Sequence, residues 1–389
     1  MILFGFMATS IPNRLFVFIG WYMYFVLTHI LVGWKPTVII RNALKRVAEV
    51  QLHRENAVFW YYGNRTGFTR FTLRSENVNA TGKVGLVGTG FVGASFAYSL
   101  MQQSIAKELV LIDMDKARAE GEAMDLNHGL PFVGNMKIRA GDYSDLAGAE
   151  VTVITAGANQ KPGETRLELL GKNALIMREI IPEVVKYNPD GMIVIASNPV
   201  DIMTYIACEA AEMRPGQIIG SGTILDTARF RYLLGDYYQV DSRSVHAYII
   251  GEHGDSELAV WSLANIAGVN LKDFTGANGK GYSQTAMDSI LHQTRTAAYE
   301  IIQRKKATYY AIGLGLLTIV DTILRDRNSV LTVSTPLDGQ FGVRDMAISL
   351  PSVIGRDGMK EVLNIPLSRE ETELFQKSAQ TLKDSYAQI

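Results

Sequence analysis

The sequence predicts an α/β protein in which a doubly wound parallel sheet is followed by an α+β domain. Over 83–223, short apolar runs alternate with helical stretches, and each run is apolar throughout rather than at every second position. Such strands are typical of parallel sheets that helices cover on both faces. Over 224–389, long helical patterns and hairpin signals replace this alternation. We therefore predict two domains with a boundary near residue 223.

The composition excludes several classes of protein. The chain has 389 residues and a net charge of −1, so its overall charge does not favour nucleic acid as a partner. Its single cysteine, Cys208, excludes an intrachain disulfide framework and favours a reducing, cytoplasmic location. The surrounding residues YIACEAA predict a buried helix face for this cysteine. No grouping of residues predicts a metal site.

Residues 1–82 differ from the rest of the chain. They hold 15 of the 36 aromatic residues and carry a net charge of +6, against −7 for the remainder. Within them, residues 15–34 contain no Asp, Glu, Lys or Arg, a length sufficient to span a bilayer. The basic residues that follow would place the C-terminal side in the cytoplasm. Two interpretations stay open: a genuine membrane anchor, or a mis-assigned start, which the lack of a clear period over 35–82 favours.

The body of the chain begins with a predicted strand, turn and helix. The turn contains the pattern GxGxxG, with glycines at Gly88, Gly90 and Gly93. Glycines at this spacing allow a tight turn, a close approach of a pyrophosphate, and close packing of helix on strand. The N–H groups at the start of the helix face the phosphates, so Phe91 and Val92 join the glycines as predicted cofactor-binding residues. The pattern indicates a Rossmann domain over 83–223.

The following strand predicts which dinucleotide binds. This strand, ELVLID, ends at Asp113, 20 residues after Gly93. A carboxylate at this position accepts hydrogen bonds from the ribose of NAD and would repel the 2′-phosphate of NADP. Three more strands are predicted from apolar runs at 151–157, 191–199 and 217–223. Because ligands lie beyond the C-terminal ends of parallel strands, we expect Asn198 and the loop 156–166 to face the cofactor.

The second half has its own pattern of elements. A polar helix is predicted over 225–235, a strand running into a turn over 244–257, and a helical region over 281–326 with a break at Lys305 and Lys306. Ser368 and Glu371 predict a capping box for the last helix. These elements form the predicted catalytic domain, 224–389.

Four side chains predict a site of proton transfer. His253 lies in the sequence GEHGD, where glycines leave the imidazole open to a small ligand, and histidine exchanges protons near neutral pH. Asp226 is the candidate carboxylate that orients it. Arg229 lies on the same helical face and suits a substrate carboxylate. Arg166, from the loop 156–166, would stabilise negative charge on a carbonyl oxygen. Together with a nicotinamide, these groups suit the reduction of a 2-keto acid.

These motifs resemble those of the L-lactate/L-malate dehydrogenase family over residues 83–385. The resemblance rests on the stretches GLVGTGFVG, AGANQKPGETRLELLGKN, SNPVDI, LDTARFRYLLG, GEHGDSE and KKATYYAIG. It implies that His253 is the proton donor and acceptor, with Asp226 as its partner. It also implies that Arg229 anchors the substrate carboxylate and that Arg166 polarises the carbonyl group.

The resemblance implies further substrate contacts. Asn198 resembles the residue that hydrogen-bonds near the substrate carbonyl, and also lies beside the cofactor, while Thr308 resembles a residue that lines the substrate pocket. In malate dehydrogenases of the family, an arginine at the position of Gln160 pairs with the second carboxylate of oxaloacetate. Gln160 is neutral, so it favours pyruvate.

The predicted activity is therefore that of an NAD-dependent L-lactate dehydrogenase, which interconverts pyruvate and L-lactate in glycolytic fermentation. Two alternatives stay open. One is a dehydrogenase of malate or another 2-hydroxy acid, which Gln160 disfavours. The other is a catalytically inactive, membrane-tethered scaffold or sensor, against which the intact set of site residues argues.

The resemblance also implies regulation. In bacterial members, residues that resemble Arg231 and His246 meet across a subunit interface and bind fructose 1,6-bisphosphate. Two symmetry-related copies would offer four positive or protonatable groups to two phosphates. We therefore expect a homotetramer that fructose 1,6-bisphosphate activates.

Overall fold

The computed structural model describes residues 57–63, 67–73, 82–158, 163 and 165–389. The apolar segment 15–34 and Gln160 lie outside the described residues. The chain divides into one compact unit up to Asn79 and a second from Ala80 onward. In the first unit, strands β1 (Ala57–Gly63) and β2 (Gly67–Leu73) form an antiparallel hairpin.

The second unit is built on a nine-stranded sheet, of which six strands are parallel. The parallel strands lie in the order β5-β4-β3-β6-β7-β8. Their bounds are β3 Lys83–Val87, β4 Glu108–Ile112, β5 Lys137–Ala140, β6 Val151–Ile154, β7 Met192–Ile195 and β8 Ile218–Gly220. The chain changes direction across the sheet between β3 and β6, which is where a doubly wound sheet opens its ligand crevice.

Helices cover both faces of this sheet and enclose two apolar cores. The first four helices of the described residues are α1 Phe91–Gln103, α2 Lys116–Gly129, α3 Arg166–Tyr187 and α4 Val200–Glu209. The predicted α/β class with a doubly wound sheet is confirmed. Strand β5 was not predicted, and its mixed sequence KIRA suits the edge of the sheet, where one neighbour and partial exposure suffice.

The second half of the chain adds helices and antiparallel strands. The helices are α5 Ile224–Tyr238, α6 Gln284–Lys305, α7 Tyr310–Leu324 and α8 Arg369–Tyr386. The strands are β9 Val245–His246, β10 Ile249–Ile250, β11 Leu258–Ala259, β12 Asn265–Ile266, β13 Val269–Asn270, β14 Ser329–Asp338, β15 Arg344–Gly355 and β16 Gly358–Val362. The expected break between two helices occurs at Lys306, which has a left-handed φ of +73°. The expected capping box of α8 is present.

The two halves share one sheet. Strand β14 pairs with β8 in antiparallel orientation, and β15 and β16 continue the sheet beyond it. Helix α7 in turn packs against α1, where a Cβ on Gly313 would lie 3.0 Å from the carbonyl carbon of Ser95. The second half of this unit is therefore fixed to the first half through both the sheet and a helix pair.

The prediction of a single strand within 244–257 is wrong. Two short strands, β9 and β10, replace it, and they pair with β12 and β11 in different small sheets. Side chains of α5 form hydrogen bonds with backbone groups at the junction of β9 and β10 that a continuous strand would use to pair with a neighbouring strand. Arg231 Nε donates to the carbonyl oxygen of Ala247, and Thr227 Oγ1 accepts from the backbone N–H of Ile249.

Two further sequence features have a plain structural account. Cys208 lies half-buried in α4 against an apolar core, where burial raises the pKa of its thiol to about 12. Such a thiol does not provide a nucleophilic thiolate. Across the described residues, every helix falls short of the length and apolarity that crossing a bilayer requires.

Candidate active site

The glycine-rich turn after β3 packs closely where the motif predicts it. Gly88 has a φ of +97°, and a Cβ there would lie 2.5 Å from the backbone nitrogen of Ala156. A Cβ on Gly93 would lie 2.1 Å from the carbonyl oxygen of Gly88. At Gly90, by contrast, no heavy atom of the described residues lies within 4 Å of the added Cβ. Gly88 and Gly93 therefore serve packing, whereas Gly90 leaves the open space that a pyrophosphate requires.

The start of α1 faces this open space. Its N-cap residue is Gly90, which has no side chain with which to cap the N–H groups of the first turn. Phe91 is 64% exposed, and its ring stacks on Tyr309 with 5.3 Å between centroids. The Val92 side chain packs against the core. The backbone N–H groups of Phe91 and Val92 belong to the turn that suits phosphate, and their role in binding stays a prediction.

Asp113 follows β4 and reaches back to the same turn. Its Oδ2 accepts hydrogen bonds from the backbone N–H and the hydroxyl of Thr89, at 2.7 and 2.9 Å, and its Oδ1 accepts from the N–H of Asp115 at 3.0 Å. Burial raises the pKa of Asp113, but these hydrogen bonds outweigh burial and lower it. The carboxylate is therefore ionised and fixed beside the glycine turn, as ribose binding requires.

The predicted catalytic pair is brought together. Asp226 lies in the first turn of α5, and His253 lies in the turn between β10 and β11. The distance from His253 Nδ1 to Asp226 Oδ2 is 2.6 Å. The histidine backbone N–H donates to Asp201 Oδ2 at 2.7 Å. Two carboxylates thus hold the histidine, one by its ring and one by its backbone, which leaves Nε2 for a substrate.

This environment favours a protonated imidazole. Burial lowers the pKa of His253, but the charge and hydrogen bond of Asp226 outweigh burial and raise that pKa to about 9. Burial raises the pKa of Asp226, but His253 and Arg229 outweigh it and hold the pKa below its usual value. His253 is therefore charged at neutral pH and can donate a proton to a carbonyl oxygen.

Arg229 shares the carboxylate of Asp226. Its Nη1 donates to Asp226 Oδ1 at 2.8 Å, and its side chain is 13% exposed. The sequence predicts that Arg229 meets a substrate carboxylate, and the structure adds this pairing within the protein. A guanidinium has five N–H donors, so the pairing fixes Arg229 and leaves donors for a ligand.

Arg166 lies at the start of α3, beside the histidine turn. Its Nη1 is 3.7 Å from Asp255 Oδ2, and its Nη2 is 3.5 Å from the Tyr299 hydroxyl. That hydroxyl donates to Asp255 Oδ1 at 2.8 Å. The Arg166 side chain is 77% exposed. The positive charge at the far end of the loop 156–166 therefore lies beside Asp255, which follows His253 by two positions in the sequence.

Asn198 lies beyond a strand end of the parallel sheet, and Thr308 lies between two helices. Asn198 is exposed beyond the C-terminal end of β7, and its carbonyl oxygen accepts from Asn173 Nδ2 at 2.8 Å. Asn173 Oδ1 also accepts from the N–H of Ala158 at 2.8 Å, so it links the loop after β6 to Asn198. Thr308 is half-buried in the connection between α6 and α7. Their contacts with a substrate stay predictions.

Comparison with known proteins agrees with this geometry. Residues 82–220 match the NAD-binding domain of lactate/malate dehydrogenase, and residues 223–389 match the α/β C-terminal domain of the same family. The chain belongs to the lactate/malate dehydrogenase family. It is therefore an NAD-dependent oxidoreductase, and the open space at Gly90 and the ionised Asp113 fit that cofactor.

Individual members of the family are similar over most of their length. L-lactate dehydrogenase 1 of Clostridium acetobutylicum is 48% identical over 307 residues, which are 79% of this chain and 98% of the relative. L-lactate dehydrogenase of Priestia megaterium is 51% identical over 315 residues, or 80% and 98% of the two chains. The solved structure of the minor L-lactate dehydrogenase from Enterococcus mundtii has a TM-score of 0.77 and 41% identity, and the match covers 80% of this chain and 99% of that one.

The site contains residues that sequence reasoning missed. Asp201 is buried in α4, where burial raises its pKa to about 6 although the backbone N–H of His253 lowers it. A carboxylate within the apolar stretch VDIMTYIA was the available signal. Glu257 is also buried close to the pair, and its place at the end of the motif GEHGDSE was the available signal. Asn173 lies on α3 and ends the motif AGANQKPGETRLELLGKN, which was the signal for it.

Arg231 and His246 lie near one another, away from the catalytic pair. Arg231 Nε donates to the carbonyl oxygen of Ala247 at 2.9 Å, and its guanidinium carbon lies 5.2 Å from the ring centre of Tyr248. His246 is exposed in β9, next to Ala247. Arg231 is therefore half-buried and contacts the residue next to His246, and the role of both residues in binding an effector stays a prediction.

Proposed function

We propose that this protein is an L-lactate dehydrogenase that reduces pyruvate to L-lactate and catalyses the reverse reaction. The observation that carries the proposal is the 2.6 Å contact of His253 with Asp226, whose other oxygen holds Arg229. The single buried carboxylate of Asp226 therefore contacts both the predicted proton donor, His253, and the arginine that is predicted to bind the substrate carboxylate, Arg229. The names of the relatives described above support the same activity.

Each site residue has a separate proposed role in the reaction. The glycine-rich turn and Asp113 would hold NADH, which would supply the hydride when bound. His253 gives a proton to the carbonyl oxygen of pyruvate, and Asp226 stabilises the imidazolium before the transfer. Arg229 binds the substrate carboxylate through its planar donors. Arg166 stabilises negative charge on the carbonyl oxygen when the loop 156–166 lies over the substrate.

A direct assay distinguishes this proposal from its alternatives. We expect NADH to be oxidised with pyruvate at a kcat/KM at least about 10²-fold above that with oxaloacetate, since Gln160 offers no charge to a second carboxylate. Equal turnover of oxaloacetate would indicate a malate dehydrogenase. Turnover of neither substrate would indicate the inactive scaffold or sensor. We place the catalytic body in the cytoplasm, in glycolytic fermentation, with a membrane contact only if residues 15–34 span a bilayer.

We also propose that the protein is a homotetramer. Exposed apolar side chains on α1 and α7 support association, and four of them are more than half exposed: Phe91, Tyr98, Tyr310 and Leu314. Helices α1 and α7 pack on each other, so these side chains belong to one region. Large exposed apolar patches are typical of interfaces.

Fructose 1,6-bisphosphate is expected to lower the apparent KM for pyruvate. Arg231 contacts the residue next to His246, and a ligand that bridges two copies of this region favours the quaternary state that brings them together. The measurement is a titration of the effector at subsaturating pyruvate. The double variant Arg231→Gln, His246→Gln should not respond, whereas Arg243→Gln, which removes an exposed cation nearby, should respond like the wild type. A wild type without activation, or a fully activated double variant, would contradict the assignment.

A further inference from the structure

Glu257 is a buried carboxyl group that the reaction described above does not use. It lies directly before β11, four residues after His253, and is 2% exposed. Among the described residues, its Oε1 has no hydrogen-bond partner. A buried carboxylate without full hydrogen bonding is costly, whereas the neutral acid is tolerated much better. The geometry alone therefore favours the protonated form.

The groups around Glu257 come from three elements. Asp226 and Arg229 face it from α5, His253 from its own turn, and Arg295 from α6. Arg295 donates through Nε and Nη2 to the backbone carbonyl oxygen of Glu257, at 3.1 and 2.5 Å. These two donors of Arg295 are thus used by the main chain rather than by the carboxyl group.

Asp226 and Glu257 compete for the same cations. Asp226 has direct contacts with both His253 and Arg229, at 2.6 and 2.8 Å. Burial first, and then the charge of Asp226, raise the pKa of Glu257 to about 8, although His253, Arg295 and Arg229 lower it. When two buried carboxyl groups share one set of cations, the better-paired group ionises first. Asp226 is that group.

We propose that Glu257 is a neutral carboxylic acid in the working enzyme and that its ionisation sets the alkaline limit of keto-acid binding at Arg229. Loss of its proton to solvent adds a second negative charge beside Asp226. That charge opposes the carboxylate of the incoming substrate at Arg229. Glu257 is thus a positioning residue that acts through Arg229, and the proposal rests on the function proposed above.

The test compares KM for pyruvate at pH 6.5 and pH 9 in three proteins. In the wild type, KM should rise at least about tenfold, because at one pH unit above a pKa of about 8 only about a tenth of the enzyme keeps Glu257 neutral. In Glu257→Gln, KM should rise less than in the wild type, because only the deprotonation of His253 then contributes to the rise. The change in kcat should be smaller than the change in KM. The control Glu300→Gln removes an exposed acid of α6 and should behave like the wild type.

Two results would overturn the proposal: a KM in Glu257→Gln that rises as in the wild type, or a wild-type KM that stays flat. Infrared difference spectra of the wild-type protein give a second test that needs no variant. A carbonyl band of a protonated carboxyl group should disappear with a midpoint near pH 8, separate from that of Asp201 near pH 6. Absence of such a band above pH 7 would also overturn it. Failure to reduce pyruvate at pH 6.5 would contradict the proposed function instead, and the infrared titration would still test Glu257.

Discussion

Replacing His253 with glutamine is expected to lower kcat for pyruvate reduction by about 10²–10⁴-fold, the usual contribution of a positioned proton donor. Glutamine keeps a polar side chain of similar length but cannot deliver a proton to the developing alkoxide. NADH affinity should change little, because the glycine turn and Asp113 lie on the other domain. The measurement is steady-state kcat, together with NADH binding followed by its fluorescence.

The pH dependence of this variant is an independent test of His253 as the proton donor. Wild-type reduction should slow as the pH rises through about 9, where the imidazolium held by Asp226 loses its proton. In His253→Gln the fall in kcat near pH 9 should vanish, whereas the rise in KM that we assign to Glu257 should remain. The matched control is His292→Gln, because His292 is exposed on α6. A loss in kcat smaller than about tenfold for His253→Gln, or an equal loss for the control, would show that His253 is not the proton donor.

Features defined by short spacings were predictable from the sequence. The glycines of the turn after β3 and the carboxylate of Asp113 are fixed by local backbone geometry, so their spacing alone carries their roles. The capping box of α8 is local in the same sense. His253 could be singled out because glycines flank it, and Asp226 because a catalytic histidine needs a carboxylate.

Features that depend on distant contacts were not predictable. Nothing near Ser334 in the sequence shows that β14 pairs with β8 and extends the parallel sheet. The division of 244–257 into β9 and β10 depends on side chains of α5. Likewise, Asp201 and Glu257 matter because α4 and β11 bring them to His253, and this proximity is a property of the tertiary fold. The reacting groups and the carboxylate of Asp226 are therefore predictable from the sequence, whereas the two other buried carboxyl groups beside His253 are not.

Replacing Gln160 with arginine is expected to shift the preference from pyruvate toward oxaloacetate by about 10²–10⁴-fold in the ratio of kcat/KM values. A second carboxylate enclosed beside a neutral glutamine has no charge partner, and an unpaired buried charge costs about 3–5 kcal/mol. Each 1.4 kcal/mol corresponds to about a factor of ten. An arginine would form an ion pair with the second carboxylate of oxaloacetate. It would form no such pair with the methyl group of pyruvate.

The described ends of the loop 156–166 support this expectation, although Gln160 itself lies outside the described residues. At one end the N–H of Ala158 is held by Asn173, which also binds the carbonyl oxygen of Asn198. At the other end Arg166 reaches Asp255, two residues from His253. Both ends therefore lie close to residues that are predicted to bind the substrate or to react with it. Gln160→Met removes the polar group without adding charge and should leave the preference for pyruvate intact. If Gln160→Arg changes the ratio by less than about tenfold, or 1.4 kcal/mol, then residue 160 does not distinguish the two substrates. Thr308, which is predicted to line the substrate pocket, is then the next residue to test.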